Sequence, residues 1–182
     1  VNQMLKMRGV IDLIIPRGGA ELINFVAENA TMPVVTGGIG VCHTYVDRSA
    51  NLQWAAAIAY NAKVQRPTVC NAMDTLLVHR DVAADVLPTI AREWASAGVE
   101  MHCDERSLEI LRQAGVSGNI VPASAADFGY EFWALTAAIK VVDSLDDAIE
   151  HIYRYGTGHS DAIVTEDYSA AMRFVDEVDT AV

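Results

Sequence analysis

Short apolar runs of strand length alternate with segments of helical spacing along nearly the whole chain. That alternation restricts the fold more than any other feature of the sequence. Residues 10–15, 41–46, 75–78, 99–103, 120–121, 137–142 and the run ending at Ile163 read as strands. Between them, 20–29, 49–61, 81–97, 107–114 and 143–155 read as helices, and 170–177 reads as a last one. Strands separated by helices cross back over their sheet, which brings neighbours together in parallel. The expectation is an α/β fold with a mostly parallel sheet flanked by helices. No internal repeat or low-complexity tract competes with it.

Local signals sharpen the boundaries. Asp47 or Ser49 is the expected cap of the helix ending near Asn61, and Asp143-Ser-Leu-Asp-Asp147 reads as the N-cap of the helix to Tyr155, with acids in its first turn. Pro88 predicts a break or bend inside 81–97, and Gly98 and Gly115 predict helix ends. In the last helix Met172, Phe174 and Val175 are expected to face partly inward.

Charge and composition bound the function. A formal net charge of −11 argues against a nucleic-acid surface, which needs clustered Lys and Arg, but leaves room for a small anionic substrate. No run approaches the roughly 18 apolar residues of a membrane span, and no basic-then-apolar signal opens the chain, so no membrane partner is expected. Cys42, Cys70 and Cys103 have no metal spacing and cannot all pair, which points to no metal and to a reducing, cytoplasmic compartment. The chain opens without Met inside a polar–apolar segment and stops at Thr180-Ala-Val182 without turn or cap. It reads as a fragment or excised domain, the other reading being a small protein with processed ends.

The stretch from Asn61 to His79 carries the chemistry. Pro67 ends a helical, Ala-rich run and pushes Arg66 toward extended backbone, so Cys70 falls in the connection between a helix and the strand 75–78. A cysteine there is either an inert core residue or a nucleophile on a rigidly held loop. Lys63 and Arg66 lie nearby in sequence, and positive charge lowers a thiol pKa. Upstream, Pro16-Arg-Gly-Gly19 between a strand and a helix start is a weak anion-site signal, equally an ordinary turn. Gly37, Gly38 and Gly40 suggest a bent connection close to a site. Cys42 and His43 are adjacent in a strand and point to opposite faces, so they do not serve one another. Cys42 reads as core, and His43 as structural or site-lining. His159-Ser160-Asp161 is no catalytic triad, because a triad is assembled from separate elements. Gly158 and His159 shape a turn near the site.

Three motifs resemble one family, in its order. They are Gln65-Arg-Pro-Thr-Val-Cys-Asn71 with Thr75-Leu-Leu-Val-His79; Thr36-Gly-Gly-Ile-Gly-Val-Cys-His43; and Ala148-Ile-Glu-His-Ile-Tyr-Arg-Tyr-Gly-Thr-Gly-His-Ser-Asp-Ala-Ile163. Together they resemble the gamma-glutamyl phosphate reductase (glutamate-5-semialdehyde dehydrogenase) family of the aldehyde dehydrogenase superfamily, over essentially the whole chain. The resemblance implies an aldehyde-dehydrogenase-like catalytic domain over 34–182, truncated at its C-terminal end. Before it, 1–33 would be the end of a Rossmann-like dinucleotide-binding domain. It implies reduction of L-glutamyl 5-phosphate by NADPH to L-glutamate 5-semialdehyde and phosphate, in L-proline biosynthesis, through a thioacyl intermediate on Cys70.

Arg17, Gly18 and Gly19 would contact cofactor phosphates, and Glu131 the nicotinamide ribose, although Ala134-Leu135 replaces the usual Gly-Pro after the aromatic. Arg66 and Asn71 are candidate substrate contacts, or simply fix the loop. The superfamily's hydrolytic members carry a general-base glutamate where Val35 or Thr36 falls here, and its absence suits a reductase that needs no activated water. The full-length enzyme is expected to be a homo-oligomer that contacts the glutamate 5-kinase supplying its substrate. The alternatives are an aldehyde dehydrogenase of other substrate, a cysteine hydrolase, or a folded, inactive fragment.

Overall fold

Residues 40–182 form one six-stranded sheet, in which every strand runs in the same direction. The strands are β1 (Cys42–Val46), β2 (Met73–His79), β3 (Glu100–Cys103), β4 (Ile120–Pro122), β5 (Thr136–Val142) and β6 (Asp161–Val164), in the order β4-β3-β5-β2-β1-β6. The structure, a computed structural model, describes every residue except Gly38, and of Ala20 the backbone alone. Residues 1–39 form a second compact unit.

A strand covered on both faces is buried along its whole length, and β2 is buried at all seven positions, with Leu76, Leu77 and Val78 as its apolar run. Alternate residues feed two cores. Leu76 and Val78 join Val46, Ala55, Ala59, Leu87, Ile90 and Trp94 beneath α2 (Leu52–Val64), α3 (Arg80–Ser96) and α4 (Glu105–Gln113). Leu77 joins Tyr45, Val142, Ile149, Ile152 and Phe174 beneath α5 (Leu145–Tyr155) and α6 (Tyr168–Glu177). Asn51 caps α2 by accepting from the amides of Gln53 and Trp54. Asp47 and Ser49, the expected caps, instead bond to each other and to Thr165 at the far end of β1. Within the expected cap segment 143–147, Ser144 is the residue that caps α5, its hydroxyl accepting from the Asp147 amide. Helices α3 and α4 end at Gly98 and Gly115, where Val99 and Val116 reach back to the carbonyls of Trp94 and Leu111.

Pro88 does not break its helix: α3 runs unbroken from Arg80 to Ser96. An interior proline costs about 3 kcal/mol. Leu87, Ile90, Ala91 and Trp94 around it are fully buried, and each large side chain among them contributes roughly 1.5–3 kcal/mol. Burial wins. Another departure lies in α6, where only Phe174 of the three expected residues turns inward; Met172 and Val175 are exposed.

Within the first unit, α1 (Ala20–Asn29) forms as expected, but 10–15 is not a strand. Its one ladder contact among the described residues is the bridge from Ile14 to Val34, and Val10, Leu13 and Ile15 are exposed. Apolarity marked the run for pairing, but a single bridge does not make a ladder.

Leu76, fully buried at the centre of the sheet, tests this packing. Leu76→Ala is expected to lower unfolding stability by about 2–5 kcal/mol in denaturant titration; a loss below about 1 kcal/mol would contradict the assigned core.

Candidate active site

In an all-parallel sheet the segments that lead into the strands gather at one edge. Here that edge collects the loop of residues 65–72 before β2, residues 40–41 before β1, the segment 131–135 before β5 and His159 before β6. Cys70 sits on the first of these. The loop is a succession of tight turns, with the Val69 amide on the Arg66 carbonyl and the Ala72 amide on the Val69 carbonyl. Cys70 is exposed, whereas Cys42 and Cys103 are buried. Arg66 and Asn71 are exposed on the same loop.

The wall beside Cys70 is built by close approach. A Cβ on Gly40 would lie 2.1 Å from the Cys70 carbonyl oxygen and 3.1 Å from a Glu131 carboxylate oxygen. Only glycine lets these three backbones and side chains meet. The Cys42 thiol donates to the same Cys70 carbonyl at 3.3 Å. Burial raises the Glu131 carboxyl above its usual range, against the opposing pull of hydrogen bonds from the Gly40 amide and the Trp133 side chain. Burial, with the Asp74 and Asp161 carboxylates, pushes the Cys42 thiol up to about 12. Burial does the same to Cys103.

Lys63 does not act on Cys70 as its place in sequence suggests. It is fully buried, 3.6 Å from Asp74, and its ammonium approaches the Ala134 carbonyl at 3.4 Å. Desolvation lowers its pKa, and the same desolvation raises that of Asp74, while their mutual attraction opposes both shifts. The inward-facing side of α2, not distance along the chain, decides where this charge goes.

The histidines separate cleanly. Asp161 accepts from both the backbone amide and Nδ1 of His43, at 3.0 and 2.9 Å, so His43 is a buried structural residue. His159 Nδ1 lies 4.0 Å from the Cys42 sulfur and 2.9 Å from the Ser160 hydroxyl, in the turn made at Gly158.

Arg17, Gly18 and Gly19 belong to the first unit. Gly18 takes φ +151°, and a Cβ there would press to 2.9 Å of the Leu22 side chain. Gly19 opens α1, and among the described residues no side chain caps it, whereas the Leu22 and Ile23 amides both donate to the Gly19 carbonyl. The arginine's guanidinium lies 3.3 Å from where a Gly37 Cβ would sit. Gly38 lies outside the described residues.

Among the described residues no group of three or more His, Cys, Asp and Glu could hold a metal, and no helix is long and apolar enough to cross a membrane. Sequence reasoning missed Asp74, although a lone acid inside the apolar run of β2 was visible. It marked Gly40 only as part of a glycine-rich bend.

No family model matches the chain. Over its whole length it is 59% identical to a curated gamma-glutamyl phosphate reductase from Dehalococcoides mccartyi, of which it covers 42%. It is 47% identical to the crystal structure of gamma-glutamyl phosphate reductase from Thermotoga maritima, with a TM-score of 0.91, over 99% of this chain and 42% of that one. A propionaldehyde dehydrogenase from Clostridium phytofermentans is 18% identical with a TM-score of 0.75, over 99% of this chain and 48% of that one, a likeness of fold alone. The chain therefore spans about two-fifths of the length of the curated relatives it matches.

The three thiols should separate by reactivity. Iodoacetamide on the native chain is expected to modify Cys70 and spare Cys42 and Cys103 until denaturant is added. The two buried thiols also set an alkaline limit. Their folded pKa values near 12 exceed the ordinary 9.0, so the unfolded chain loses these protons first as pH rises. Stability from this source is intact below about 9 and falls progressively toward 12. A melting temperature that does not fall over that range would contradict the burial assigned to them.

Proposed function

Starting from homology to the gamma-glutamyl phosphate reductases along the whole chain, we propose that these residues carry the nucleophile of such a reductase. The reaction is NADPH-dependent reduction of L-glutamyl 5-phosphate to L-glutamate 5-semialdehyde with release of phosphate, a step of L-proline biosynthesis. The observation that carries the reading is Cys70 itself. It is the one exposed cysteine, held on a turn-rich loop against Gly40 and Glu131 where four segments converge.

In this reading the Cys70 thiolate attacks the acyl phosphate carbon. The new C–S bond forms as the C–O bond to phosphate breaks, and phosphate leaves with the electron pair. Backbone amides of the loop, including that of Cys70, stabilise the oxyanion of the tetrahedral intermediate. Arg66 and Asn71, exposed on the same loop as the thiol, contact the anionic ends of the substrate. NADPH, when bound, supplies the hydride that converts the thioester to aldehyde. Arg17 and the amides at Gly18 and Gly19 would hold its phosphates, and Glu131 its nicotinamide ribose. The uncapped start of α1 and the glycine-walled placement of Glu131 support that assignment.

Residues 1–33 would then be the end of a Rossmann-like dinucleotide-binding domain and 34–182 the catalytic domain. The whole enzyme would be cytoplasmic and homo-oligomeric, receiving its acyl phosphate from glutamate 5-kinase by contact.

The test is a chimera in which this chain replaces the 181 residues it matches in the D. mccartyi protein. The chimera should form NADPH from NADP⁺, phosphate and glutamate semialdehyde, the reverse reaction. Cys70→Ser should lower kcat by at least about 10³-fold, the scale of removing a nucleophile that acts as one unit with its site. Activity that survives Cys70→Ser would refute the assignment.

A further inference from the structure

Asp74 lies four residues beyond Cys70, is 2% exposed, and touches neither the thiol nor its loop in any hydrogen bond. Its carboxylate instead collects three donors from three separate segments. One oxygen accepts the Phe132 amide at 3.1 Å and faces the Lys63 ammonium at 3.6 Å; the other accepts the Cys42 amide at 3.5 Å. Phe132 is the neighbour of Glu131, whose carboxylate takes the Gly40 amide. Cys42 is the residue whose thiol grips the Cys70 carbonyl. Both sides of the Cys70 wall therefore lead back, through one residue each, to the same carboxylate.

We propose that Asp74 is the positioning residue of the cysteine site, bracing the strand entrance at Cys42 and the Glu131–Phe132 segment against each other, with Lys63 balancing its buried charge. Stability is a poor reason for such a pair. A buried ion pair repays little more than its own desolvation, and apolar residues of similar volume usually serve as well. What apolar residues do not supply is a pair of acceptors for two buried amides from different segments. An unpaired amide there would cost about 1–3 kcal/mol. The contribution of the pair is geometric: it fixes the spacing at which Gly40 fits between the Cys70 carbonyl and Glu131.

The inference deepens the reading of Cys70 as nucleophile and rests on it for its meaning, but its test is independent of activity. Hydrogen–deuterium exchange on the 182-residue chain compares the parent with Asp74→Asn, whose amide keeps one acceptor and loses the other. Peptides covering 39–42, 66–72 and 130–134 are expected to exchange about ten-fold faster, the scale of losing one hydrogen bond to a charged group. Peptides covering 76–78 and 138–141 are expected to stay unchanged. No acceleration in the three wall segments, or equal acceleration throughout a still-folded sheet, overturns the proposal. If Asp74→Asn does not fold, Asp74→Asn combined with Lys63→Met decides, because both charges of the buried pair then go together and one acceptor is still lost. The wall segments should again exchange about ten-fold faster, and exchange within about three-fold of the parent would overturn the assignment. Should the chimera keep its activity without Cys70, the nucleophile reading fails while this exchange pattern still stands or falls by itself.

Discussion

Parallel pairing of six strands puts every strand entrance on one edge of the sheet, and the candidate site follows from that constraint. Cys70, Gly40, Glu131 and His159 come from four distant parts of the sequence, yet each precedes a strand by a few residues. β2, β1, β5 and β6 are carried to fixed places by two fully packed cores. The segments leading into them inherit that fixity. Ligands of open α/β sheets usually sit at the carboxyl ends of strands. This chain places its exposed thiol at the opposite edge, where loops enter the sheet.

The chemistry at that edge depends on unequal treatment of similar groups. Cys42 and Cys70 meet through one hydrogen bond, but Cys42 is buried among carboxylates and kept as a neutral thiol, while Cys70 faces solvent. The neutral thiol serves as a donor that pins the backbone of the exposed one. Asp74 and Lys63 are likewise removed from solvent and used as scaffold, and Glu131 is left half-buried with its carboxyl raised. Only after these groups are committed to one another does a single thiol stand open to solvent.

Much of this was legible in the residues. Apolar runs and helical spacing located all six strands of the sheet, because burial on both faces demands that pattern. The connection bearing Cys70 followed from Pro67 and the run 75–78. The glycines before β1 signalled a close approach that Gly40 makes against Cys70. What failed shares one physical cause, dependence on partners distant in sequence. The run 10–15 is apolar enough for a strand but makes one bridge. Pro88 should interrupt a helix by local rules, and the surrounding core overrides them. Asp47 and Asn51 are both good caps, and Thr165, more than a hundred residues away, engages Asp47 elsewhere. Lys63 lies seven residues from Cys70, but the face of α2 that carries it turns toward Asp74.

A nucleophilic Cys70 would be acylated by an acyl phosphate, and mass spectrometry measures this directly. The chimeric reductase carrying this chain would be incubated with an acyl phosphate such as acetyl phosphate, without nicotinamide, and its cysteine peptides mapped. The expected result is one hydroxylamine-labile acyl group on Cys70, with none on Cys42 or Cys103. A folded protein whose Cys70 stays unmodified, or one acylated at another cysteine, would contradict the account.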